Sequence, residues 1–149
     1  MKKTIAIASD HAGVELKAAL MKALPGWKWL DLGPKNGDRV DYPDYAALVA
    51  RKIQKEESAF GVLICGSGIG MSIAANKLEG IRAALVDNTS SARLSREHTD
   101  ANVLCLGSRF PAPEYAAEIV GIWLATSFSN DPRHALRIKK MSDLERKSK

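Results

Sequence analysis

The sequence predicts an α/β fold: a five-stranded parallel sheet with helices on both faces. Three observations lead there. Short apolar runs alternate with segments of helical spacing along the whole chain. The runs are almost continuously apolar, as in Phe60-Gly-Val-Leu-Ile64, the pattern of a strand buried on both sides. The turns that follow these runs carry most of the Gly, Ser, Asp, His and Arg residues of chemical interest. At 149 residues the chain reads as one domain, 1–149, with room for a substantial core.

Each element has its own signal. Thr4–Ala8 is the first strand, and Gly13–Leu24 follows with Val14, Leu16, Leu20 and Leu24 at helical spacing until Pro25-Gly26 breaks it. Trp27–Leu32 is the second strand, and residues 33–43, rich in Gly, Pro, Asn and Asp, form a loop. Asp44–Gln54 is an amphipathic helix with Tyr45, Leu48, Val49 and Ile53 on one face. Phe60–Cys65 is the third strand and leads into a helix from about Ile69 to Leu78. Ile81–Val86, Ser90–His98 and Asn102–Leu106 continue as strand, helix and strand. Pro113–Ser127 is a long helix with Pro113 in its first turn; Asp131 caps a last helix toward Arg146, with Pro132 at its first position.

Right-handed crossovers place every strand-to-helix turn along one edge of such a sheet. That edge collects Ser9-Asp10-His11, the 33–43 loop, Cys65–Gly70, Asp87-Asn88 and Gly107-Ser108-Arg109. Ligands of open α/β sheets bind there, beyond the carboxyl ends of the strands.

Composition narrows the function classes. No apolar run is long enough to span a membrane, and the run after Met1-Lys2-Lys3 is too short for a secretory leader, so the expected location is the cytoplasm. Cys65 and Cys105 form neither a disulfide framework nor a zinc spacing, which fits free thiols in a reducing compartment. The net charge is +5, with much of the excess after residue 130. That basic tail is not interleaved with aromatic residues and no recognition motif accompanies it, so nucleic acid is not the expected partner.

Cys65-Gly66-Ser67-Gly68-Ile69-Gly70 puts a thiol at the mouth of a glycine-rich strand-to-helix turn. Backbone N–H groups in such a turn approach a ligand closely and favour negative charge. The spacing fits neither a dinucleotide turn nor a P-loop. Each residue also has a plainer reading. Cys65 could be a core cysteine, Ser67 and Asp10 helix N-caps, His11 a surface residue, and His98 a C-terminal histidine favoured by its helix dipole. Arg133 and Arg137, at i and i+4, are either a phosphate clamp or a solvated face, and Arg109 is a third basic contact at the active edge. Cys105, between Leu104 and Leu106, reads as core; Trp27, Trp29 and Trp123 pack helices or an interface, and His134 is placed on the surface.

Several segments together resemble one known family. They are Ser9-Asp-His-Ala-Gly13 with Leu16-Lys17, Asp41-Tyr-Pro43, the block Cys65–Lys77, Gly80-Ile-Arg-Ala83, Ala92–His98, Asn102-Val103, Gly107-Ser-Arg109 and Arg133…Arg137. The chain is similar over essentially its full length to ribose-5-phosphate isomerase type B, in a wider family that includes allose-6-phosphate and galactose-6-phosphate isomerases of carbohydrate metabolism. The resemblance implies a three-layer Rossmann-like fold and a metal-free, cofactor-free interconversion of an aldose phosphate and a ketose phosphate. It implies that Cys65 is the carbon base, Ser67 the proton shuttle between O1 and O2, His98 the ring-opening residue, and Asp10 a neighbour of the ring oxygens or hydroxyls. It also implies phosphate contacts at His11, Arg133 and Arg137 and substrate contacts at Tyr42, Thr99 and Arg109. The N–H groups around Gly66, Gly68, Ile69 and Gly70 become an enediolate cradle. Where the family commonly has Asn after the ring-opening histidine, this chain has Thr99, and Met71 stands where one branch places a glutamate base. Sites in the family lie at a homodimer interface, in some members within a dimer of dimers. The resemblance therefore gives His98 and the arginines of the C-terminal helix, about 132–147, to the partner's Cys65. Within this class a hexose 6-phosphate is the alternative substrate, and outside it a non-catalytic phosphosugar-binding module is the alternative function.

Overall fold

The computed structural model describes residues 3–148. Strands β1 (Thr4–Ser9), β2 (Lys28–Asp31), β3 (Phe60–Cys65), β4 (Ala83–Leu85) and β5 (Val103–Gly107) form one parallel sheet in the order β2-β1-β3-β5-β4. A 3-10 turn, His11–Gly13, runs into helix α1 (Val14–Ala23); α2 (Tyr42–Gln54), α3 (Ile69–Ala75) and α4 (Thr89–Thr99) connect the later strands, and α5 (Pro113–Ala125) and α6 (Pro132–Lys147) follow β5. Helices α1, α4 and α5 cover one face and α2 and α3 the other, giving the three-layer Rossmann-like architecture. No helix among the described residues is long and apolar enough to cross a membrane.

Strand parity builds the two cores. In β1, Ile5 and Ile7 face α1 and α5, while Ala6 and Ala8 face α2 and α3. Small residues on the second face let α2 approach the sheet: a Cβ on Gly61 would lie 2.4 Å from Val49 Cγ1. On the first face Trp123 is fully buried, edge-on to Phe60 at 5.3 Å, and its indole N–H donates to Ser95 Oγ at 3.1 Å. Truncating a side chain of that size in a packed core costs about 3–5 kcal/mol.

The path from β1 to β2 goes one way across the sheet, and the path from β2 to β3 returns. The reversal opens a crevice beyond the ends of β1 and β3, where Asp10 and Cys65 emerge.

Several boundaries differ from expectation. Tyr42 and Pro43, read as loop, open α2 instead, with Pro43 in the first turn where its missing N–H has no helical partner to lose. Helix α3 stops at Ala75 rather than Leu78, because Lys77 and Leu78 continue as a turn bonded to Ala74 and Ala75. Strand β4 is shorter than Ile81–Val86, since the Ile81 N–H bonds Leu78 and the Arg82 N–H bonds the Asn102 side chain. Asp131 caps α6 as expected, accepting from the Arg133 N–H at 2.8 Å.

Candidate active site

The carboxyl edge of the sheet holds one group of the expected residues. Cys65 ends β3, is 4% exposed, and its Sγ accepts a hydrogen bond from the Gly68 N–H at 3.2 Å. Gly68 has φ +77 and occupies the N-cap of α3, so the capping position foreseen for Ser67 belongs to glycine. Ser67 Oγ instead accepts from the Ile69 N–H at 3.3 Å and faces a cleft of about 360 Å³ lined also by Ile69, Leu85, Asp87, Gly107 and Phe110. The turn is seated on the end of β5: the Ser108 N–H donates to the Cys65 carbonyl at 2.9 Å and the Arg109 N–H to the Gly66 carbonyl at 3.2 Å.

Other loops close over this turn. The pairing of Ser9 with Ile64 brings Asp10 alongside Cys65, and the Asp10 N–H donates to the Ile64 carbonyl at 3.0 Å. Asp10 is 7% exposed and its Oδ1 accepts the Ala12 N–H at 2.9 Å, so it does cap the 3-10 turn. His11 is exposed, and its Nδ1 accepts the Val40 N–H at 3.4 Å. The ring of Tyr42 lies on Gly70, where a Cβ would come within 2.4 Å of Tyr42 Cζ. The Arg109 guanidinium lies over Gly66, 3.0 Å from where a Cβ would be.

The second cysteine is chemically different. Cys105 is fully buried in β5, and burial, with Cys65 on the neighbouring strand as a smaller cause, pushes its thiol well above the usual range. It stays protonated and packs as core, leaving Cys65 as the cysteine that opens on the edge.

The remaining residues form a separate group. His98 and Thr99 end α4, and the Thr99 and Asp100 carbonyls accept from the Arg82 guanidinium, just ahead of β4. Asn102, ahead of β5, accepts the Arg82 N–H and donates to the Gly80 carbonyl. His98 and Thr99 therefore lie at the amino edge of the sheet, separated from Cys65 by the length of β5, roughly 16 Å at about 3.3 Å per residue. The Thr99 hydroxyl donates to the Ser95 carbonyl at 2.6 Å. Arg133, Arg137 and His134 are on α6 beside them. Arg133 pairs with Asp131 at 2.9 Å, and Arg137 is exposed.

Two residues escaped the reading of the sequence. His134 is not a free surface residue: it is half-buried and stacks on His98 with ring centroids 4.2 Å apart. Phe110 lines the Ser67 cleft. Neither carries a local signal, because each contact joins elements distant in sequence.

The two groups are joined by an exposed apolar band. Ile69 and Ile73 on α3, Leu85 on the edge strand β4 and Leu94 on α4 are each 46–58% exposed. A groove of about 620 Å³ beside β4 is lined by Arg82, Leu94, His98, Thr99 and Met141.

Comparison with known proteins gives one consistent family. The Ribose/Galactose Isomerase family matches residues 5–141. The ribose-5-phosphate isomerase B of Escherichia coli is 42% identical over 147 residues, covering 97% of this chain and 98% of its own. The solved structure of Clostridium thermocellum ribose-5-phosphate isomerase B superposes with a TM-score of 0.95 at 43% identity, over 98% of this chain and 99% of that one. The type B ribose 5-phosphate isomerase of Leishmania infantum gives 0.96 at 40% identity over the whole of both chains. With the glycine turn bearing Cys65 set beside Asp10 at the sheet's switch point, these similarities show that the chain belongs to the ribose/galactose isomerase family.

Proposed function

We propose that this protein is an aldose–ketose isomerase that interconverts ribose 5-phosphate and ribulose 5-phosphate through an enediolate. The observation that carries the reading is the Cys65 turn: a sulfur at a strand end, hydrogen-bonded by the Gly68 N–H, beside Asp10 and beneath Tyr42 and Arg109. Family membership and the names of the similar proteins supply the substrate class.

The chemistry needs a carbon base, a proton path between adjacent oxygens and stabilisation of a developing oxyanion. In this reading His98 takes the anomeric hydroxyl proton as the bond from C1 to the ring oxygen breaks, and the ring oxygen is protonated in turn. Asp10 holds the sugar's ring oxygen or hydroxyls. The Cys65 thiolate removes the C2 proton, and the electron pair moves onto O1 to give the enediolate. Ser67 relays the proton from O2 to O1, the C2 carbonyl forms, and Cys65 returns its proton to C1. The N–H groups of Gly66–Gly70 face the enediolate oxygens. Tyr42 and Thr99 border the sugar and Arg109 is a further substrate contact, while His11, Arg133 and Arg137 hold the phosphate, whose binding energy positions the reacting end.

His98, Thr99, Arg133 and Arg137 cannot reach Cys65 of their own chain across the sheet. The complete site is therefore shared in a homodimer: the carboxyl-edge group of one protomer meets the amino-edge group of its partner. The exposed band of Ile69, Ile73, Leu85 and Leu94, running past the edge strand β4, supports a second copy as the occupant of that face. The C-terminal helix α6 contributes its arginines to the phosphate and the dimer.

The test is a sugar-phosphate panel on the purified protein in D₂O, following ketose formation and deuterium incorporation at C2. Ribose 5-phosphate is expected to be the preferred substrate, and Cys65→Ala to lose about 10²–10⁴-fold in kcat. Undiminished turnover by Cys65→Ala would rule out this base. A large preference for allose 6-phosphate would move the assignment to a hexose phosphate. Binding without exchange at C2 would leave only a phosphosugar-binding module.

A further inference from the structure

The β2–α2 connection straps two candidate site residues to the rest of the fold, and a single buried cation holds its base. Lys17 lies on α1, on the opposite side of the sheet from Cys65's helix, and is 2% exposed. Its ammonium donates to Asp31 Oδ1 at 2.6 Å and to the Pro34 carbonyl at 2.7 Å. The same Asp31 oxygen accepts the Gly33 N–H at 2.9 Å, and the Gly33 carbonyl accepts the Ser9 N–H at 3.1 Å. One buried charge therefore fixes the end of β2, the first residues of the strap and, through Ser9, the end of β1 that presents Asp10.

Beyond this clip the strap is bare. Gly33 and Pro34 are buried, but residues 35–39 are exposed. At its far end the Val40 N–H reaches His11 Nδ1, and Tyr42 opens α2 with its ring on Gly70. A buried ammonium is tolerated only when paired, and Lys17 is paired to the last residue of β2 and to the start of this connection. An apolar residue of the same length would fill the same space under α1 without directing the strap.

The geometry points to Lys17 as a positioning residue of the active site: it sets the path of residues 33–41 and so the placement of Tyr42 and His11. It touches no substrate and acts only through the clip. The inference rests on the isomerase reading for its kinetic consequence, but its structural content stands apart from it.

The experiment compares Lys17→Met, Lys17→Arg and Asp31→Asn with the wild type, using Lys22→Met as an exposed control on the same helix. Two quantities are read: amide hydrogen exchange at Ser9, Gly33 and Val40, and KM against kcat for ribose 5-phosphate. Lys17→Met is expected to melt cooperatively while these amides exchange at least about tenfold faster. KM is expected to rise at least about fivefold with kcat changed less than about threefold, because the substrate-holding groups are displaced while the base is not. Lys17→Arg, which keeps charge and donors, is expected to restore most of both readouts, and Lys22→Met to change neither. A folded Lys17→Met with unchanged exchange and unchanged KM overturns the proposal, as does an equal loss in Lys17→Arg. If Lys17→Met does not fold, Asp31→Asn decides by the same two readouts, since Asp31 is 33% exposed and its loss leaves no buried cavity. If the wild type turned over no sugar phosphate, the isomerase reading would fail, while the exchange comparison would still decide the role of Lys17.

Discussion

Gly68→Ala tests whether the Cys65 turn is held by backbone geometry or merely by composition. Gly68 has φ +77, which a residue with a Cβ adopts at a cost of about 1–2 kcal/mol. The new methyl would also lie 2.7 Å from Leu85 Cδ1, 2.8 Å from the carbonyl carbon of Leu106 and 3.0 Å from the Gly107 nitrogen. Leu85 is a half-exposed side chain and can move, but the other two atoms belong to the backbone of β5 and cannot. Overpacking against fixed atoms adds about 1–3 kcal/mol, so the expected destabilisation is about 2–5 kcal/mol. For a domain of this size that is a fall in Tm of roughly 5–15 °C. Thermal and urea denaturation by circular dichroism, at one protein concentration because the proposed dimer would make Tm concentration-dependent, measures it. The lost activity should exceed the lost stability, since the Gly68 N–H that meets Cys65 Sγ moves with the backbone. A Gly68→Ala protein within about 1 kcal/mol of wild type, with unchanged kcat, would refute the reasoning.

Other consequences follow from the same geometry. In Gly70→Ala the atoms nearest the new methyl all belong to the Tyr42 phenol, a partly exposed side chain that can move, so stability should change by less than about 1 kcal/mol while KM for the sugar phosphate rises. Inactive Cys65→Ala and His98→Ala chains, unfolded and refolded together, should regain about a quarter of wild-type activity, because half of the dimers are mixed and each has one intact site. No recovery, with mixed dimers verified by mass spectrometry, would contradict shared sites. The Asp131 carboxyl is held below the usual carboxylate range, first by its side-chain hydrogen bond to Arg133 and then by the Arg133 N–H. Its contribution to the α6 cap should thus be present above the ordinary carboxylate pKa and be lost only as pH falls through the lowered one. An NMR titration of Asp131 showing ordinary behaviour would disprove the cap.

Much of the fold was legible because its signals are local. Apolar runs of strand length, Pro25-Gly26 as a breaker, and Asp131-Pro132 as a cap each report the conformation of their own few residues. The errors fall where local signals are matched by tertiary ones. Tyr42 and Pro43 looked like loop because proline favours turns as well as first helical positions, and the choice was made by the packing of α2. The start of β4 was misplaced because the Arg82 N–H bonds the Asn102 side chain across the fold, and the end of α3 because Lys77, Leu78 and Ile81 close three-residue turns where apolar spacing suggested more helix and strand.

The sequence by itself determined the α/β class, the single edge on which Asp10, the Cys65 turn and Arg109 gather, and the separate chemistry of the turn, since strand parity and glycine spacing are properties of neighbouring residues. Only the tertiary structure decided the strand order, the stacking of His98 on His134, the clip that Lys17 makes beneath the strap, and the distance between Cys65 and His98. Those depend on which crossover carries the chain to which side of the sheet. A helix antiparallel to its strands takes its last residues to the opposite edge, so residues whose motifs suggest one site fall into two groups at opposite edges of the sheet.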